Sequence, residues 1–559
     1  MIPTVNATRE FLEIANDFAN PLELVREAIS NSYDANASLI TVLFDVIQDC
    51  GESVLRIRLQ DNGEGMDRLG LQAFFDLGNS MSREDPTKIG EKGHGTKVYF
   101  NSSRIRVVTY RNGERLEASV DTPFRSLHNG TIPQVKVSAG PSSDSRTGTE
   151  IEIIGYNNNR RDRFTHAILK DYILWFTKHG SIEHVFNTSK SNVRLRLQGL
   201  DSQTIEEIEV GHPFPGESPS ITSLFDTHLA YAPDHYCKRI VRTGTLSDHP
   251  EVTFEAVFSI EGSRVKYDNN LMLRRSGYQS PKGAYTVQER YGLWLCKDYI
   301  PIQRKNDWIG VKGTEYTRFH AFVNCQDLRL TANRGSIENT PSEKLSDLKN
   351  TVRQIYEDIV ESNDWRDLDW LESQAGAFRT VEKERRDYGW RVSRINKTNI
   401  AVFEGTQLVE PTRESGVFAL YILVAQKKPE LFPFYVLDYD THEGIDVIVK
   451  SDATTPISQS KLFYVEFKHI LTKDFNHSFE NVHSIVCWDT QIKHSETVED
   501  ITGETRKLMI VQPEKEGDYT KYFLDNEQKA RKVEVFVLKS YLKEKLGIDF
   551  KPRTTASVL

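Results

Sequence analysis

Apolar positions in the first third of the chain recur with two periods. Leu22, Val25 and Ile29 fall on one side of a 3.6-residue repeat and predict an amphipathic helix, whose other side carries Glu27, Asn31 and Asp34. The run Asn20-Pro21-Leu22-Glu23 reads as its start: an N-cap, a proline at the first helical position and a glutamate able to close a capping box. Two-residue alternation over 55–60 (LRIRLQ) and 149–156 (TEIEIIGY) predicts strands, so helices and strands alternate from 20 to 155. From about 190 to 345 strand patterns dominate, as in VRLRLQGL and FHAFVNCQDLRL. A charged helical stretch follows over roughly 341–388, read as broken at Gly376. A second α/β region opens near 396, with a helix over 413–426 and strands expected at 434–438, 445–449, 462–467 and 483–489.

Bulk properties bound the answer without deciding it. A chain of 559 residues is too long for one core, and three or four domains are expected. Hydrophobic and charged contents of 38% and 27% suit an ordinary globular protein, and no apolar run approaches a membrane span. The first residues lack the basic-then-apolar pattern of a secretory leader. The five cysteines, Cys50, Cys237, Cys296, Cys325 and Cys487, form no CxxC pair, which fits a reducing cytoplasm and offers no zinc framework. A net charge of −9 gives no global reason to bind nucleic acid, since local patches decide that. One patch stands out: Lys383, Arg385, Arg386, Arg391, Arg394 and Lys397, interleaved with Tyr388 and Trp390. It reads either as a solvated helix face or as a contact surface.

Four short segments carry candidate chemistry. On the first helix, Glu27 could take a proton from water and the Asn31 carbonyl, one turn later, is a hard ligand suited to Mg²⁺. After the strand LRIRLQ comes Asp61-Asn62-Gly63-Glu64-Gly65-Met66. Asp-Asn-Gly alone suggests a hairpin turn, but the second glycine and the methionine need another reason. Asp61 could accept from an adenine amino group, with Gly65 allowing close approach and Met66 packing on the base. The run Gly90-Glu91-Lys92-Gly93-His94-Gly95-Thr96-Lys97 narrowly misses the P-loop pattern and offers a glycine-rich backbone nest for phosphate oxygens. Thr147-Gly148-Thr149 enters a strand and says little alone.

In order, spacing and chemistry these segments together resemble the GHKL superfamily, which includes gyrase, MutL, MORC proteins, histidine kinases and the large heat-shock chaperone. EAISNSYDA is similar to its N-box, DNGEGM to its adenine box, GEKGHGTK to its phosphate box and TGT to its last box. The resemblance covers about 10–155. It implies a two-layer α/β sandwich (the Bergerat fold) binding ATP and Mg²⁺. Carried over, Glu27 activates the attacking water, Asn31 holds Mg²⁺, Asp61 reads adenine, Gly63, Gly65 and Met66 shape its pocket, and Thr149 supports it. Gly90, Gly93, Gly95, Thr96 and Lys97 are placed at the phosphates, and His94 takes no assigned chemistry.

The middle region resembles the transducer domain that completes such ATPases. CQDLRLTANRGSIENT (325–340) looks like the chaperone's middle-domain segment and maps its arginine onto Arg334. KDYIPIQRKNDWIG (297–310) is similar to the MORC transducer and makes Lys305 a second candidate. In the last third, Asp446 in EGIDVIV and Glu466 and Lys468 in YVEFKHI resemble the PD-(D/E)xK nuclease motif. Alternation puts Glu466 and Lys468 on one side of a strand with Phe467 behind. That resemblance makes Asp446 and Glu466, with Glu414 from the preceding helix, ligands for Mg²⁺, and Lys468 the group that polarises water.

The expectation is therefore a multidomain α/β protein. A GHKL domain spans 1–190, a transducer-like α+β domain 191–345, a helical linker 346–395 and a PD-(D/E)xK-like α/β domain 396–559. The activity expected is an ATP-gated, Mg-dependent DNA nuclease acting as a homodimer, with a partner subunit possible, no membrane association, and a place in prokaryotic defence. The alternative is a MORC-like clamp or chaperone-like remodeller whose last domain only binds. A sensor kinase lacks its phosphoacceptor segment here, and a topoisomerase its metal-binding and breakage domains.

Overall fold

The computed structural model describes residues 6–16, 20–49, 51–77, 89, 95–142, 145–187, 192–310, 313–331, 334–440, 445–515 and 517–553. Of 445 and 446 only the backbone is described. The chain divides into two compact units, Met1–Thr380 and Val381–Leu559.

The first unit opens with helices α1 (Ala7–Asn16) and α2 (Glu23–Asp34). Strands β1 (Leu39–Asp49) and β2 (Glu52–Asp61) follow, then α3 (Arg68–Phe75). Next come β3 (Arg104–Arg111), β4 (Glu114–Asp121), β5 (Lys136–Pro141) and β6 (Gly148–Ile154), and then α4 (His166–Phe176). With β7 (Arg194–Gln198) and β8 (Glu206–Ile208) these strands form one eight-stranded sheet, ordered β5-β4-β3-β6-β2-β1-β7-β8, in which β7 lies parallel to β1. The run VRLRLQ thus closes the first sheet rather than opening the second.

Alternation explains the layering. Along β2, Leu55, Ile57 and Leu59 are buried, whereas Arg56 and Arg58 lie on the other face and share Asp45. The buried face meets Phe11 of α1, Val25 and Ile29 of α2, and Leu169 and Ile173 of α4 in a single core. The stripe expected on α2 is therefore its packing face. Its start differs from expectation. Asn20 accepts from the Leu22 amide at 3.1 Å, but the helix begins at Glu23, and Glu23 pairs with Arg26 at 2.6 Å instead of closing a capping box. A charged partner three residues on is the stronger acceptor-donor match.

The second sheet contains β9 (Cys237–Thr245), β10 (Thr253–Glu261), β11 (Gly292–Lys297), β12 (Ile300–Arg304) and β13 (Phe319–Asn324), ordered β12-β11-β13-β10-β9. Helix α5 (Ser342–Val360) and the first turns of α6 (Asn363–Lys397) cover it through Val352, Ile359, Trp365 and Leu371. The helix break falls at Ser362, whose hydroxyl accepts from the Trp365 amide, and not at Gly376, which α6 runs straight through. A glycine costs a helix only about 1 kcal/mol, too little to end one that is otherwise well formed. The two sheets of this unit meet around Trp175, Ile182, Val257, Cys296 and Phe322. At this joint Arg290 pairs with Asp171 at 2.8 Å, each side chain only 11% exposed, and lies over the Tyr285 ring at 3.9 Å.

In the second unit a hairpin of β14 (Ile400–Phe403) and β15 (Thr406–Val409) precedes α7 (Glu414–Lys427). Then come β16 (Tyr435–Tyr439), β17 (Ile445–Lys450), β18 (Leu462–Leu471), β19 (Asp474–Phe475) and β20 (Ser484–Thr490). The chain ends with β21 (Thr497–Asp500), β22 (Thr505–Val511), β23 (Lys521–Asp525), β24 (Val533–Val537) and α8 (Leu538–Leu546). The nine-stranded sheet is ordered β16-β17-β18-β20-β24-β23-β22-β21-β19, with β18, β20 and β24 mutually parallel at its centre. Val417, Leu420 and Val424 of α7 pack on Val447, Val465 and Phe467. No helix of the described residues is long and apolar enough to cross a membrane.

Candidate nucleotide cleft and acidic strand pair

A cleft of about 270 Å³ opens between α2, the ends of β2 and β6, and α3. Its lining includes Glu27, Asn31, Asp61, Gly65, Met66, Thr96 and Thr149, so segments scattered over more than 120 positions converge on one cavity. They converge because β2 ends where its antiparallel neighbour β6 begins, with Asp61 opposite Thr149, and residues of α2 line the same cleft.

Asp61 lies at its base. It accepts from the Gly63 amide at 2.8 Å, and the Thr149 backbone and the Ser32 side chain, whose hydroxyl donates to the Ala28 carbonyl, lie close enough to lower its carboxyl. Burial still raises its carboxyl from the usual value to about 6, more than those neighbours lower it. The glycines around it are there for close approach. Gly65 has φ +70°, and a Cβ on it would meet the Tyr110 carbonyl at 2.1 Å; one on Gly63 would meet the Ala35 carbonyl at 2.5 Å. The turn is not a hairpin: Asn62 instead accepts from the Ser38 and Leu39 amides at 2.9 and 2.8 Å, tying the end of β2 to the start of β1.

At the other end Glu27 accepts from the Asn31 amide nitrogen at 3.1 Å. Burial raises its carboxyl above the ordinary value, opposed by Arg334, the Asn31 bond, Arg26 and Lys97. A Cβ on Gly95 would lie 2.0 Å from the Glu27 carboxyl group, so a larger residue there would displace that side chain. Gly95 begins a short 3₁₀ helix, Gly95–Phe100. Thr96 and Lys97 both donate to the carbonyl of Phe74, at 2.8 and 2.9 Å, near the end of α3. Lys97 is fully buried, and its ammonium is pushed down to about 8 by burial, against the pull of Glu27 and Asp76. Its amine therefore faces α3 and is absent from the cleft lining. Gly90, Gly93 and His94 lie outside the described residues.

From the loop between β13 and α5, Arg334 donates to the Ile89 carbonyl and pairs with Asp298 at 2.8 Å. It holds φ +57°, a left-handed conformation uncommon for a residue with a Cβ. Lys305 caps the short helix Asn306–Trp308 and does not line the cleft. Sequence reasoning passed over Thr109, whose hydroxyl accepts from the Met66 amide at 2.7 Å and meets the Thr149 hydroxyl at 3.2 Å. It also passed over Gly148, where φ is +113° and a Cβ would strike the Asp61 carbonyl at 2.1 Å. A threonine inside a strand pattern gives no signal of such a bond.

In the second unit, β17 and β18 pair so that Asp446 stands directly opposite Glu466. Glu466 is fully buried; Lys468 approaches it at 2.5 Å and His477 at 3.2 Å, while Lys468 also lies 3.5 Å from Glu414. Phe467 packs behind in the core shared with α7. Among the described residues, no group of three or more His, Cys, Asp or Glu side chains is arranged to hold a metal ion.

Comparison with known proteins bears on the nucleotide cleft's domain. Residues 20–147 match the model of the family of histidine kinase-, DNA gyrase B- and HSP90-like ATPases, so the first unit contains a GHKL-type ATPase domain. Among curated proteins, the DNA mismatch repair protein MutL of Endomicrobium trichonymphae is 25% identical over 217 residues, covering 34% of this chain and 35% of that protein. The match thus spans about a third of the relative's length.

Proposed function

We propose that this protein is an ATP-gated, Mg²⁺-dependent DNA nuclease. The observation that carries the reading is the pairing of a GHKL cleft in the first unit with the Glu466–Lys468–Glu414 cluster, opposite Asp446, in the second. The cleft fits a purine nucleotide: a buried carboxylate held by the Gly63 amide, beside a second glycine whose missing Cβ leaves room against the Tyr110 backbone. ATP supplies the energy of its terminal phosphoryl bond. Asp61 accepts from the base, Met66 and Gly65 enclose it, and the Asn31 amide oxygen serves as ligand for the cation, its nitrogen being turned to Glu27. Glu27, with its carboxyl raised, takes the proton of the attacking water, and Arg334 opposes the charge that develops on the phosphoryl group. In the second unit Asp446, Glu466 and Glu414 would hold Mg²⁺ for phosphodiester cleavage, with Lys468 orienting the water. Closure of a homodimer of the ATPase domain is the gating step, and defence against foreign DNA is the setting.

A second reading is a DNA clamp or remodeller whose second unit binds without cutting; the Lys468 ammonium beside Glu466 at 2.5 Å, in the place a cation would take, favours it. Incubation of plasmid DNA with the purified chain, Mg²⁺ and ATP separates the two. The nuclease reading expects breaks from the wild type, none from Lys468→Ala, and equal ATP turnover from both; DNA left intact by the wild type rejects it in favour of the clamp.

A further inference from the structure

The last half of α6 is built unlike its first half. Trp365, Leu368, Leu371 and Ala375 recur at helical spacing and are buried on the second sheet. Beyond Ala375 no residue of the helix is buried, up to Lys397. A stripe nevertheless continues: Lys383, Arg386, Asp387, Trp390, Arg391 and Arg394 stand at i, i+3, i+4, i+7, i+8 and i+11, the spacing that normally marks a core-facing side. They are all exposed, and with Arg413 they line one groove of the second unit. Five of its seven lining side chains are cations against one carboxylate, in a chain whose overall charge is −9. Of the acids nearby, Glu382 is engaged with Arg385 at 3.2 Å. Trp390 is 76% exposed in the middle of the cations, and Tyr388 71%.

We infer that this groove binds single-stranded DNA, with phosphates tracked by Lys383, Arg386, Arg391, Arg394 and Arg413 and a base stacked on Trp390. A large exposed indole set among guanidinium groups is costly to leave bare and suits an unpaired base, whose π-face is inaccessible in a duplex. From Lys383 to Arg394 the stripe runs about 16 Å at 1.5 Å per residue, room for several nucleotides of an extended strand. The groove ends at Arg413, the residue before Glu414, which itself contacts Lys468. A strand held there is delivered to the acidic pair of β17 and β18. The inference rests on the proposed DNA nuclease, but it concerns which form of DNA is held and by what.

The test uses the full chain in EDTA without added Mg²⁺, so that no cutting confuses binding, and a fluorescent 20-mer of deoxythymidine read by anisotropy across a salt series. Five phosphate contacts predict a slope of log K on log salt of roughly −3.5. Arg391→Glu/Arg394→Glu should weaken binding more than tenfold and flatten that slope, while ATP turnover, assayed with Mg²⁺, stays unchanged. Trp390→Ala should weaken it at least fivefold, with the salt slope retained. Equal or tighter binding of a duplex or of the matching RNA, or no change in the charge-reversed variant, overturns the inference. If wild-type protein never cuts DNA yet these variants behave as stated, the nuclease reading falls and the single-strand groove stands.

Discussion

Arg334 donates a hydrogen bond to the carbonyl of Ile89, 245 positions earlier in the chain, while its other guanidinium nitrogen pairs with Asp298. One side chain of the loop after β13 thereby reaches the edge of the first-sheet domain, close enough for its charge to oppose the raised carboxyl of Glu27. Arg334→Ala should lower ATP turnover about 10²–10³-fold, the usual loss for a stabiliser of transition-state charge, with nucleotide affinity changed only a few-fold. Single-turnover hydrolysis set beside equilibrium nucleotide binding checks the split. Asp298→Ala, which frees the guanidinium without removing it, should give a smaller loss in the same direction.

The pH dependence of binding should follow Asp61. Its carboxyl is raised from 3.8 to about 6 in the folded protein. Below that value it is protonated and cannot serve as a charged acceptor for an adenine amino group. Affinity for ATP should therefore fall as pH drops through 6, to about a tenth of its plateau near pH 5. Stability of the empty protein runs the other way: a raised carboxylic pKa stabilises fully below the unfolded value and is lost as pH rises through 6. Between pH 5 and 8, titration calorimetry reads the first trend and denaturant unfolding of the empty protein the second, with Asp61→Asn as a flat control.

Gly95→Ala should cost catalysis before it costs fold. The added methyl group would meet the Glu27 carboxyl group at 2.0 Å, so either Glu27 swings out or the 3₁₀ helix shifts. ATP turnover should drop about 100-fold or more, since a misplacement of roughly 1 Å is enough for that. Thermal unfolding should move by only a few degrees. Glu27→Gln, which keeps the volume and the Asn31 contact, should bind ATP and not turn it over; normal hydrolysis by that variant would remove Glu27 as the base.

Buried charge in the second unit offers a test that needs no DNA. Glu466 is fully buried with Lys468 at 2.5 Å. Lys468→Met should destabilise this unit by about 3 kcal/mol, because it leaves a buried carboxylate short of a partner. Lys468→Met/Glu466→Gln should recover more than half of that loss. A double-variant cycle by urea unfolding measures the coupling, and additive effects would show that the two side chains do not act as a pair.

Much of this could be read from residue patterns, and the reasons for the rest are physical. The face of α2 and the strand LRIRLQ follow from periodicity, because burial acts on every third to fourth or every second residue. The convergence of Glu27, Asn31, Asp61 and Thr149 was legible only through the four motifs taken together. Three contacts had no local trace. Thr109 supports Met66 from a strand forty residues on, Arg334 finds Ile89 from the loop after β13, and Lys97 turns its amine to the carbonyls of α3. Each depends on which backbone groups the tertiary fold leaves without a partner, which a sequence window does not contain. The misplaced break at Gly376 has the opposite origin: a local propensity overruled because it is worth little beside the rest of the helix.

Arg290 and Asp171 give the first unit one more property. Their joint works as a detent. With both charges 11% exposed and the guanidinium laid on Tyr285, the attraction offsets the loss of hydration at one alignment of the two sheets. Slippage by half a side chain would strand two charges at a cost of about 3–5 kcal/mol. Intermediate positions are therefore the least populated ones. A shift between the two sheets would therefore pass as a click between seated and unseated, not as a graded slide.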